Sequence, residues 1–269
     1  MPRLAFAPDA RSPWIIVPLT AADLPGLEWQ VAELATAAHA RGAATPVDAV
    51  EWRVDLYEQF TAGDGSDPAP AVAALARLAE LLPDTPVLAT LRTRAEGGAS
   101  EPAPEHYVGL IRALAASGLA DAVDVEFRHL RAAEAMAAAH DHGTPVVASS
   151  HDFAATPAEQ SIVARLEAME HAGADVAKIA VTPTCAADVV TLIAATERRH
   201  RDAGIPLVTM SMGSLGAITR IGGGVFGSAA TFATVGPASA PGQLPAAGVR
   251  AALDLLGGES PAPDGSAQP

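Results

Sequence analysis

The stretch VAKIAV (Val176–Val181) sets one lysine, Lys178, in the middle of an otherwise apolar run. Short runs of this kind, rich in branched aliphatic residues, are typical of buried strands in parallel sheets. An ammonium group inside such a strand is costly unless it is paired or has lost its proton. A deprotonated lysine is a nucleophile towards carbonyl groups, so Schiff-base chemistry is one hypothesis. The other is a lysine at a strand end whose ammonium group extends into water.

Seven further runs of the same type occur along the chain, most of them bounded by glycine or proline. The eight predicted strands are Trp14 to Leu19, Ala49 to Leu56, Pro86 to Arg92, Ala122 to Phe127, Pro145 to His151, Asp175 to Val181, Pro206 to Ser211 and Ala230 to Val235. Eight strands with crossover helices, in a chain of 269 residues, predict an α/β fold of the (β/α)8 TIM-barrel type. A doubly wound open sheet is the alternative.

Segments with helical spacing separate most of these strands. The helix predicted from Asp23 to Arg41 stops at a glycine, and Thr156-Pro157-Ala158-Glu159 has the pattern of a capping box that starts another helix. Because no linker divides the chain, we expect a single barrel domain over residues 1–256. The last residues, 257–269, are mainly Gly, Pro, Ser and Asp, a composition that predicts a disordered tail.

Composition excludes several classes of protein. The net charge of −14 argues against a nucleic-acid-binding protein, which normally carries a basic surface. A single cysteine, Cys185, excludes an internal disulfide and any multi-cysteine metal site. No apolar run reaches the ~18 residues needed to span a membrane, and no signal-peptide pattern is present, so we expect a cytoplasmic protein with no membrane partner.

Polar residues alternate near the C-terminal ends of five consecutive predicted strands. Since side chains at i and i+2 share a face of a strand, these residues point the same way. In a barrel the C-terminal ends of the strands carry the active site, and unpaired buried charge is strongly unfavourable, so five agreeing strands indicate a site rather than core packing. The residues are Glu51, Arg53 and Asp55; Thr90 and Arg92; Asp124 and Glu126; Ser149 and His151; and Lys178.

Each of these residues also has a structural explanation. His151 alone is compatible with a hydrogen-bonded structural histidine. Glu51 with Arg53 could form an ion pair that holds the barrel mouth, and Arg92 with Glu96 could form an ion pair within a loop. Asp124 and Glu126 are expected to support other residues rather than to react.

Taken in order, several short motifs resemble the type I 3-dehydroquinate dehydratases. The resemblance extends from about residue 15 to residue 243. The matching motifs are Glu51-Trp52-Arg53-Val54-Asp55, Thr90-Leu91-Arg92 with Glu96-Gly97-Gly98, Asp124-Val125-Glu126, Ser150-His151-Asp152-Phe153, Ala177-Lys178-Ile179-Ala180, the segment from Met210 to Arg220, Val225 to Phe232, and Ser239-Ala240-Pro241-Gly242-Gln243.

The resemblance implies a TIM barrel that converts 3-dehydroquinate to 3-dehydroshikimate without a metal or organic cofactor, as a homodimer. It implies that Lys178 forms the Schiff base and that His151 is the general acid and base, oriented by Glu96. The residues it implies for substrate binding are Glu51, Arg53, Arg92, Arg220, Ser239 and Gln243, with Arg220 the expected partner of the substrate carboxylate.

The sequence departs from the family pattern in three places. Thr219 stands before Arg220 where the family usually has serine, although the hydroxyl is kept. The segment ahead of Trp14 is short, which puts in doubt the N-terminal hairpin that closes the barrel in many family members. Residues 222–224 are all glycine, more than the family pattern leads us to expect.

Two other functions remain open from the residues. A class I aldolase-like lyase would use Lys178 on the same barrel, and a phosphorylated substrate would favour it. A non-catalytic barrel that binds shikimate-type ligands is the third hypothesis. The joint presence of Lys178, His151 and Glu96 argues against this third hypothesis.

Overall fold

Eight parallel strands alternate with helices in a computed structural model of the chain, which describes residues 13–39, 47–236 and 242–257. The strands are β1 (Trp14–Leu19), β2 (Ala49–Arg53), β3 (Val87–Thr90), β4 (Ala122–Glu126), β5 (Val146–Asp152), β6 (Val176–Val181), β7 (Leu207–Ser211) and β8 (Ala230–Thr234), with a short β9 (Leu244–Pro245) beside β8. All eight predicted strands are present, and their ends differ from the predicted ends by no more than a few residues. The predicted second strand is the longest of them, and its last residues, Val54–Leu56, form a 3-10 turn instead.

The helices follow the strands in sequence. They are α1 (Leu24–His39), α2 (Glu58–Thr61), α3 (Ala69–Leu81), α4 (Pro104–Ala116), α5 (Ala132–His140), α6 (Glu159–His171), α7 (Ala186–His200), α8 (Ala217–Ile221), α9 (Gly223–Phe226) and α10 (Ala246–Gly257). Within the described residues, no helix combines the length and hydrophobicity needed to cross a membrane. Gly257, predicted to begin the tail, ends α10, and residues 258–269 lie outside the described residues, as does the segment ahead of Pro13.

The sheet closes on itself. The strands pair in the order β7-β6-β5-β4-β3-β2-β1-β8-β9, each parallel to the next. The gap between β7 and β8 is bridged where Leu207 pairs with Ser228 and accepts a hydrogen bond of 2.7 Å from the Ala229 amide. This closure confirms the predicted (β/α)8 barrel and excludes the doubly wound sheet, in which the edge strands would stay apart.

The interior of the barrel changes character along its axis. Residues near the N-terminal ends of the strands form an apolar layer that includes Ala49, Leu88 and Val147. Two residues further along the same strands stand Glu51, Thr90 and Ser149, which are buried and polar. A second apolar core fills the space between the outer face of the sheet and the helices. The strand alternation therefore places a polar layer on an apolar floor, at the end of the barrel where active sites form.

The predicted capping box at Thr156 is wrong. The helix begins at Glu159, two residues later than predicted, and its N-cap residue, Ala158, makes no side-chain hydrogen bond. The Thr156 hydroxyl instead donates to the Thr182 carbonyl, 3.1 Å away, and so ties the loop after β5 to the loop after β6. The hydroxyl therefore bonds a carbonyl that is distant in sequence and is not available to cap the helix.

Three aspartates repeat one arrangement at the N-terminal ends of β2, β4 and β6. Asp121, which precedes β4, accepts a hydrogen bond from the Val87 amide at 2.8 Å and donates its own amide to the Val87 carbonyl. Asp48 pairs in the same way with Ile15, and Asp175 with Val146. Each aspartate fixes the register of two neighbouring strands at the end of the barrel opposite the polar layer.

Replacing Asp121 with alanine should lower the free energy of unfolding by about 1–3 kcal/mol, because the buried Val87 amide would lose its partner. Asp121→Asn keeps an acceptor oxygen and should lose less. Asp84→Ala, at an exposed loop position, is the matched control and should change stability by no more than about 0.5 kcal/mol. Equal stabilities of the Asp121→Ala and Asp84→Ala proteins in urea would contradict a stabilising role of this aspartate clamp, the pair of hydrogen bonds between Asp121 and Val87.

Candidate active site

Eight of the nine predicted site residues line one cavity of about 170 Å³ in the polar layer of the barrel. Ser239, the ninth, lies outside the described residues. The closed barrel brings these residues together from six strands or the segments that follow them, although they are far apart in sequence. They are Glu51, Arg53, Arg92, Glu96, His151, Lys178, Arg220 and Gln243.

Lys178 is buried and paired with two carboxylates. Its Nζ lies 3.1 Å from Glu51 Oε1 on β2 and 3.3 Å from Asp124 Oδ2 on β4. The Phe232 ring from β8 lies beneath the ammonium, with its centroid 4.4 Å from Nζ. The lysine is only 3% exposed, so the alternative of an ammonium extended into water is wrong. The charge is stabilised by pairing, and a proton must leave before the nitrogen can attack a carbonyl.

Arg92 lies at the centre of the buried charges. Its NH1 group is 3.1 Å from Glu126 Oε1 and 2.9 Å from Ser149 Oγ. Its NH2 group is 2.8 Å from Asp124 Oδ1, and Glu96 Oε2 lies 3.6 Å from NH1. Burial opposes the cation, but the surrounding carboxylates outweigh it and raise the pKa of Arg92 above its ordinary value. Arg92 therefore does pair with Glu96, as one hypothesis from the sequence had it, but this ion pair is one of several contacts.

The loop after β3 is built to hold Glu96. Glu126 accepts hydrogen bonds from the Thr93 amide at 2.7 Å and the Thr93 hydroxyl at 2.6 Å, which anchors the start of the loop. The Gly98 amide then returns to the Thr93 carbonyl at 2.8 Å. A Cβ atom at Gly98 would lie 1.9 Å from the Arg92 carbonyl oxygen, so only glycine permits this return. Glu96 is consequently buried and fixed next to β5.

Glu96 orients His151 through a single oxygen. Glu96 Oε2 is 2.8 Å from His151 Nδ1 and 3.0 Å from the His151 backbone nitrogen. The backbone amide donates to this oxygen. The 2.8 Å distance between the ring nitrogen and the same oxygen assigns the ring hydrogen to Nδ1. The other ring nitrogen, Nε2, is then the one left to exchange a proton with a bound molecule.

Burial shifts the pKa of both members of this pair. It lowers the pKa of His151 well below its ordinary value, and the positive charges of Arg92 and Lys178 act in the same direction. It raises the pKa of Glu96 to about 7, against the opposing charge of Arg92. His151 is therefore neutral at pH 7 and able to accept a proton, which is the state that a general base requires.

Arg220 enters the cavity from α8 and is almost completely buried. Its NH1 group donates to the Phe232 carbonyl at 3.0 Å, and burial lowers its pKa to about 10, which leaves it charged at neutral pH. Thr219, the departure from the family pattern, accepts a hydrogen bond from the Ser211 amide and donates to the Gly216 carbonyl. The threonine hydroxyl thus fixes the turn that carries Arg220.

Arg53 pairs with Asp55, not with Glu51 as the ion-pair alternative had it. The Nε and NH2 groups of Arg53 each lie 2.7 Å from an Asp55 oxygen. Asp55 also accepts hydrogen bonds from the backbone amides of Arg92 and Ala99, so it joins the loop after β3 to the segment after β2. Asp55 thereby holds one cavity arginine in place.

The apolar walls of the cavity were not predicted from the sequence. They include Phe232, Met210, Met212 and Phe153. The strand alternation could have placed Phe232 inside the barrel, two residues after Ala230, but an apolar side chain carries no chemical signature of a site. Within the described residues, no group of three or more His, Cys, Asp or Glu side chains is arranged to hold a metal ion.

Comparison with known proteins points to one family. A sequence model of the type I 3-dehydroquinase family matches residues 16–260. The 3-dehydroquinate dehydratase of Listeria welshimeri is 46% identical over 212 residues, which cover 78% of this chain and 82% of that protein. The enzyme of the same name from Klebsiella pneumoniae is 44% identical over 212 residues, with the same coverage of both chains.

Solved structures extend the likeness to the whole barrel. The type I 3-dehydroquinate dehydratase from Clostridium difficile, solved with covalently modified comenic acid, superposes with a TM-score of 0.83 at 33% identity, over 93% of this chain and 94% of that one. The 3-dehydroquinate dehydratase from Geobacillus kaustophilus superposes with a TM-score of 0.82 at 35% identity, over 91% of each chain. The chain described here belongs to the type I 3-dehydroquinase family.

Proposed function

We propose that this protein is the hydro-lyase that converts 3-dehydroquinate to 3-dehydroshikimate, the third step of the shikimate pathway, through a Schiff base on Lys178. One observation carries the proposal: in a chain of this family, Lys178, the His151–Glu96 pair and Arg220 line the same cavity. An aldolase-like lyase would share the lysine and the barrel with this enzyme, and a non-catalytic barrel would give the Lys178, His151 and Glu96 set no role.

The first step is formation of the imine. Lys178 Nζ gives up a proton and attacks the C3 ketone, and the carbonyl electrons move to its oxygen. The nitrogen loses a second proton after the bond has formed. The oxygen gains both protons and leaves as water, and a positively charged imine nitrogen remains. His151 Nε2 is suited to carry these protons, because its ring is neutral and Glu96 holds Nδ1.

The second step is loss of water from the substrate. A protonated imine withdraws electrons, so the neighbouring C–H bond becomes acidic enough for His151 to take its proton. The electron pair forms a carbon–carbon double bond as the β-hydroxyl departs, and the histidine returns the proton to that leaving group. Hydrolysis of the imine then releases the conjugated enone and regenerates Lys178.

Binding of the substrate is assigned to the remaining cavity residues. A planar guanidinium can hold a carboxylate through two parallel hydrogen bonds, which suits Arg220 to the substrate carboxylate. Glu51 and Arg53, which line the cavity beside Lys178, are assigned to the substrate hydroxyls, and Arg92 is assigned to substrate binding. Ser239 and Gln243 belong to a segment that would cover the bound substrate.

The finer biological setting is inferred from the composition of the chain and from the family resemblance. We propose a cytoplasmic homodimer that needs no metal or organic cofactor and binds neither nucleic acid nor membrane. Sedimentation of the purified protein tests the dimer, and a monomer at micromolar concentration would contradict it.

Lys178→Arg should abolish turnover while the protein stays folded, because arginine keeps the charge between Glu51 and Asp124 but cannot form the imine. Lys178→Ala should also be inactive, and it should lose about 3–5 kcal/mol of stability because it leaves buried carboxylates uncompensated. Product formation is followed by the enone absorbance, and stability by urea unfolding. Activity above a few per cent in the arginine variant would refute the Schiff-base role.

The pH profile of kcat/KM should report Glu96. As pH rises through about 7, Glu96 loses its proton and can stabilise the charged histidine that forms during proton transfer, so kcat/KM should rise. Glu96→Gln removes this titration, and its profile should be lower and flat between pH 6 and 8. His151→Ala should slow turnover ~10²–10⁴-fold across the same range. An unchanged inflection near pH 7 in Glu96→Gln would contradict the assignment.

Arg220→Lys should raise KM about 10- to 100-fold, because a single ammonium replaces a bidentate, charge-assisted contact worth ~1.5–3 kcal/mol. The effect on kcat should be smaller, since the guanidinium binds the substrate away from the reacting bond. Initial-rate kinetics separate the two parameters. An unaltered KM would remove the carboxylate role.

A further inference from the structure

Asp124 contacts the reactive lysine from outside the substrate cavity. Its carboxylate is completely buried, and Oδ2 lies 3.3 Å from Lys178 Nζ. The described residues that line the cavity include Lys178 and Glu51 but not Asp124. Asp124 can therefore influence a bound substrate only indirectly, through Lys178 Nζ and through Arg92, both of which line the cavity.

The carboxylate of Asp124 is held rigidly. Its other oxygen, Oδ1, accepts a hydrogen bond from Ser149 Oγ at 2.6 Å and lies 2.8 Å from Arg92 NH2. These partners come from β5 and from the end of β3, on the two sides of β4. Oδ2 is consequently fixed in the direction of Lys178.

Glu51, the second carboxylate beside the lysine, is placed differently. Its Oε1 atom accepts hydrogen bonds from both Lys178 and the Thr90 hydroxyl, each at 3.1 Å. Because Glu51 also lines the cavity, a bound polyhydroxy substrate would compete with the lysine for its oxygens. Asp124 does not line the cavity, so a bound substrate would not compete with the lysine for its oxygens.

Asp124 also keeps its charge. Burial alone would raise the pKa of this carboxyl group, but Arg92 and Lys178 together hold it below the ordinary value. The lysine nitrogen is positively charged both as the free ammonium and as the protonated imine. A fixed anion beside this nitrogen therefore stabilises its positive charge both before and after imine formation.

We propose that Asp124 is a positioning residue for the Schiff-base step, which holds Lys178 Nζ towards the cavity and serves as the lasting counter-ion of that nitrogen. The inference rests on the function proposed above. The ammonium gives one proton to His151, the nitrogen forms its bond to the ketone carbon and then loses a second proton. Both protons pass to the ketone oxygen, which leaves as water. Asp124 gains and loses no proton, and accepts a hydrogen bond from the N–H that remains.

The test compares Asp124→Asn with wild type and with Glu126→Gln. Glu126 is an equally buried carboxylate on the same strand that also contacts Arg92, but no contact joins it to Lys178 among the described residues. Protein is mixed with 3-dehydroquinate at several pH values and quenched with borohydride, and the reduced adduct on Lys178 is measured by mass spectrometry. The other charged or titratable groups around the pair are unchanged in Asp124→Asn; they are Glu51 on β2, Arg92 after β3, Glu126 on β4 and His151 on β5.

Asp124→Asn should lower kcat at least tenfold. KM should change less than about threefold, because Asp124 does not line the cavity and Arg92 keeps its contacts with Glu126 and Glu96. The pH at half-maximal adduct formation should fall by roughly 1 unit or more, since an anion close to the ammonium is lost. Glu126→Gln should leave that midpoint unchanged, even if its turnover falls through the loop that carries Glu96.

Each remaining outcome is decisive. No adduct on Lys178 in the wild-type protein would overturn the proposed function and this inference with it. An adduct in wild type, with the same midpoint in Asp124→Asn, would overturn the inference alone. If Asp124→Asn does not fold, Ser149→Ala decides: it keeps the charge but releases Oδ1, and should slow adduct formation about threefold or more without moving the midpoint. An unchanged rate in Ser149→Ala would overturn the positioning role.

Discussion

The buried guanidinium of Arg92 is the interaction on which the site depends. It lies within 3.6 Å of carboxylate oxygens on Asp124, Glu126 and Glu96, and removing it would leave buried negative charges facing one another. Two paths lead from it to the reacting groups. Through Asp124 it supports the nitrogen of Lys178, and through Glu126 it anchors the loop whose carboxylate orients His151. One cation therefore holds both Lys178 and His151 in position, through the carboxylates that contact them.

The two ends of the barrel have different roles, one in stability and the other in binding and chemistry. At the N-terminal ends of the strands, an apolar layer and the aspartate clamps, such as that of Asp121 on Val87, secure the strand register. At the C-terminal ends, the inward positions hold charge. A shift of one residue in any strand would exchange its inward and outward faces, so the register near Asp121 also determines where Glu51 and Lys178 point.

Much of this could be predicted from the sequence, because strand alternation is a local property. The runs that became β1 to β8, and the inward direction of Glu51, Asp124 and Lys178, follow from period-two patterns. Pairing could not be predicted in this way. Arg53 pairs with Asp55, and Arg92 is surrounded by carboxylates from β4 and from the loop after β3. Such pairings depend on which strands are neighbours and on side-chain direction. The Thr156 hydroxyl was misassigned for the same reason, since its partner is distant in sequence.

The central claim is that Lys178 forms a covalent imine with the substrate. Borohydride reduction of the wild-type protein during turnover of 3-dehydroquinate, followed by peptide mass mapping, tests it most directly. One substrate-dependent adduct is expected, located on the peptide that contains Lys178, together with enone absorbance in the unreduced sample. Enone formation without any adduct, or an adduct on another residue, would contradict it.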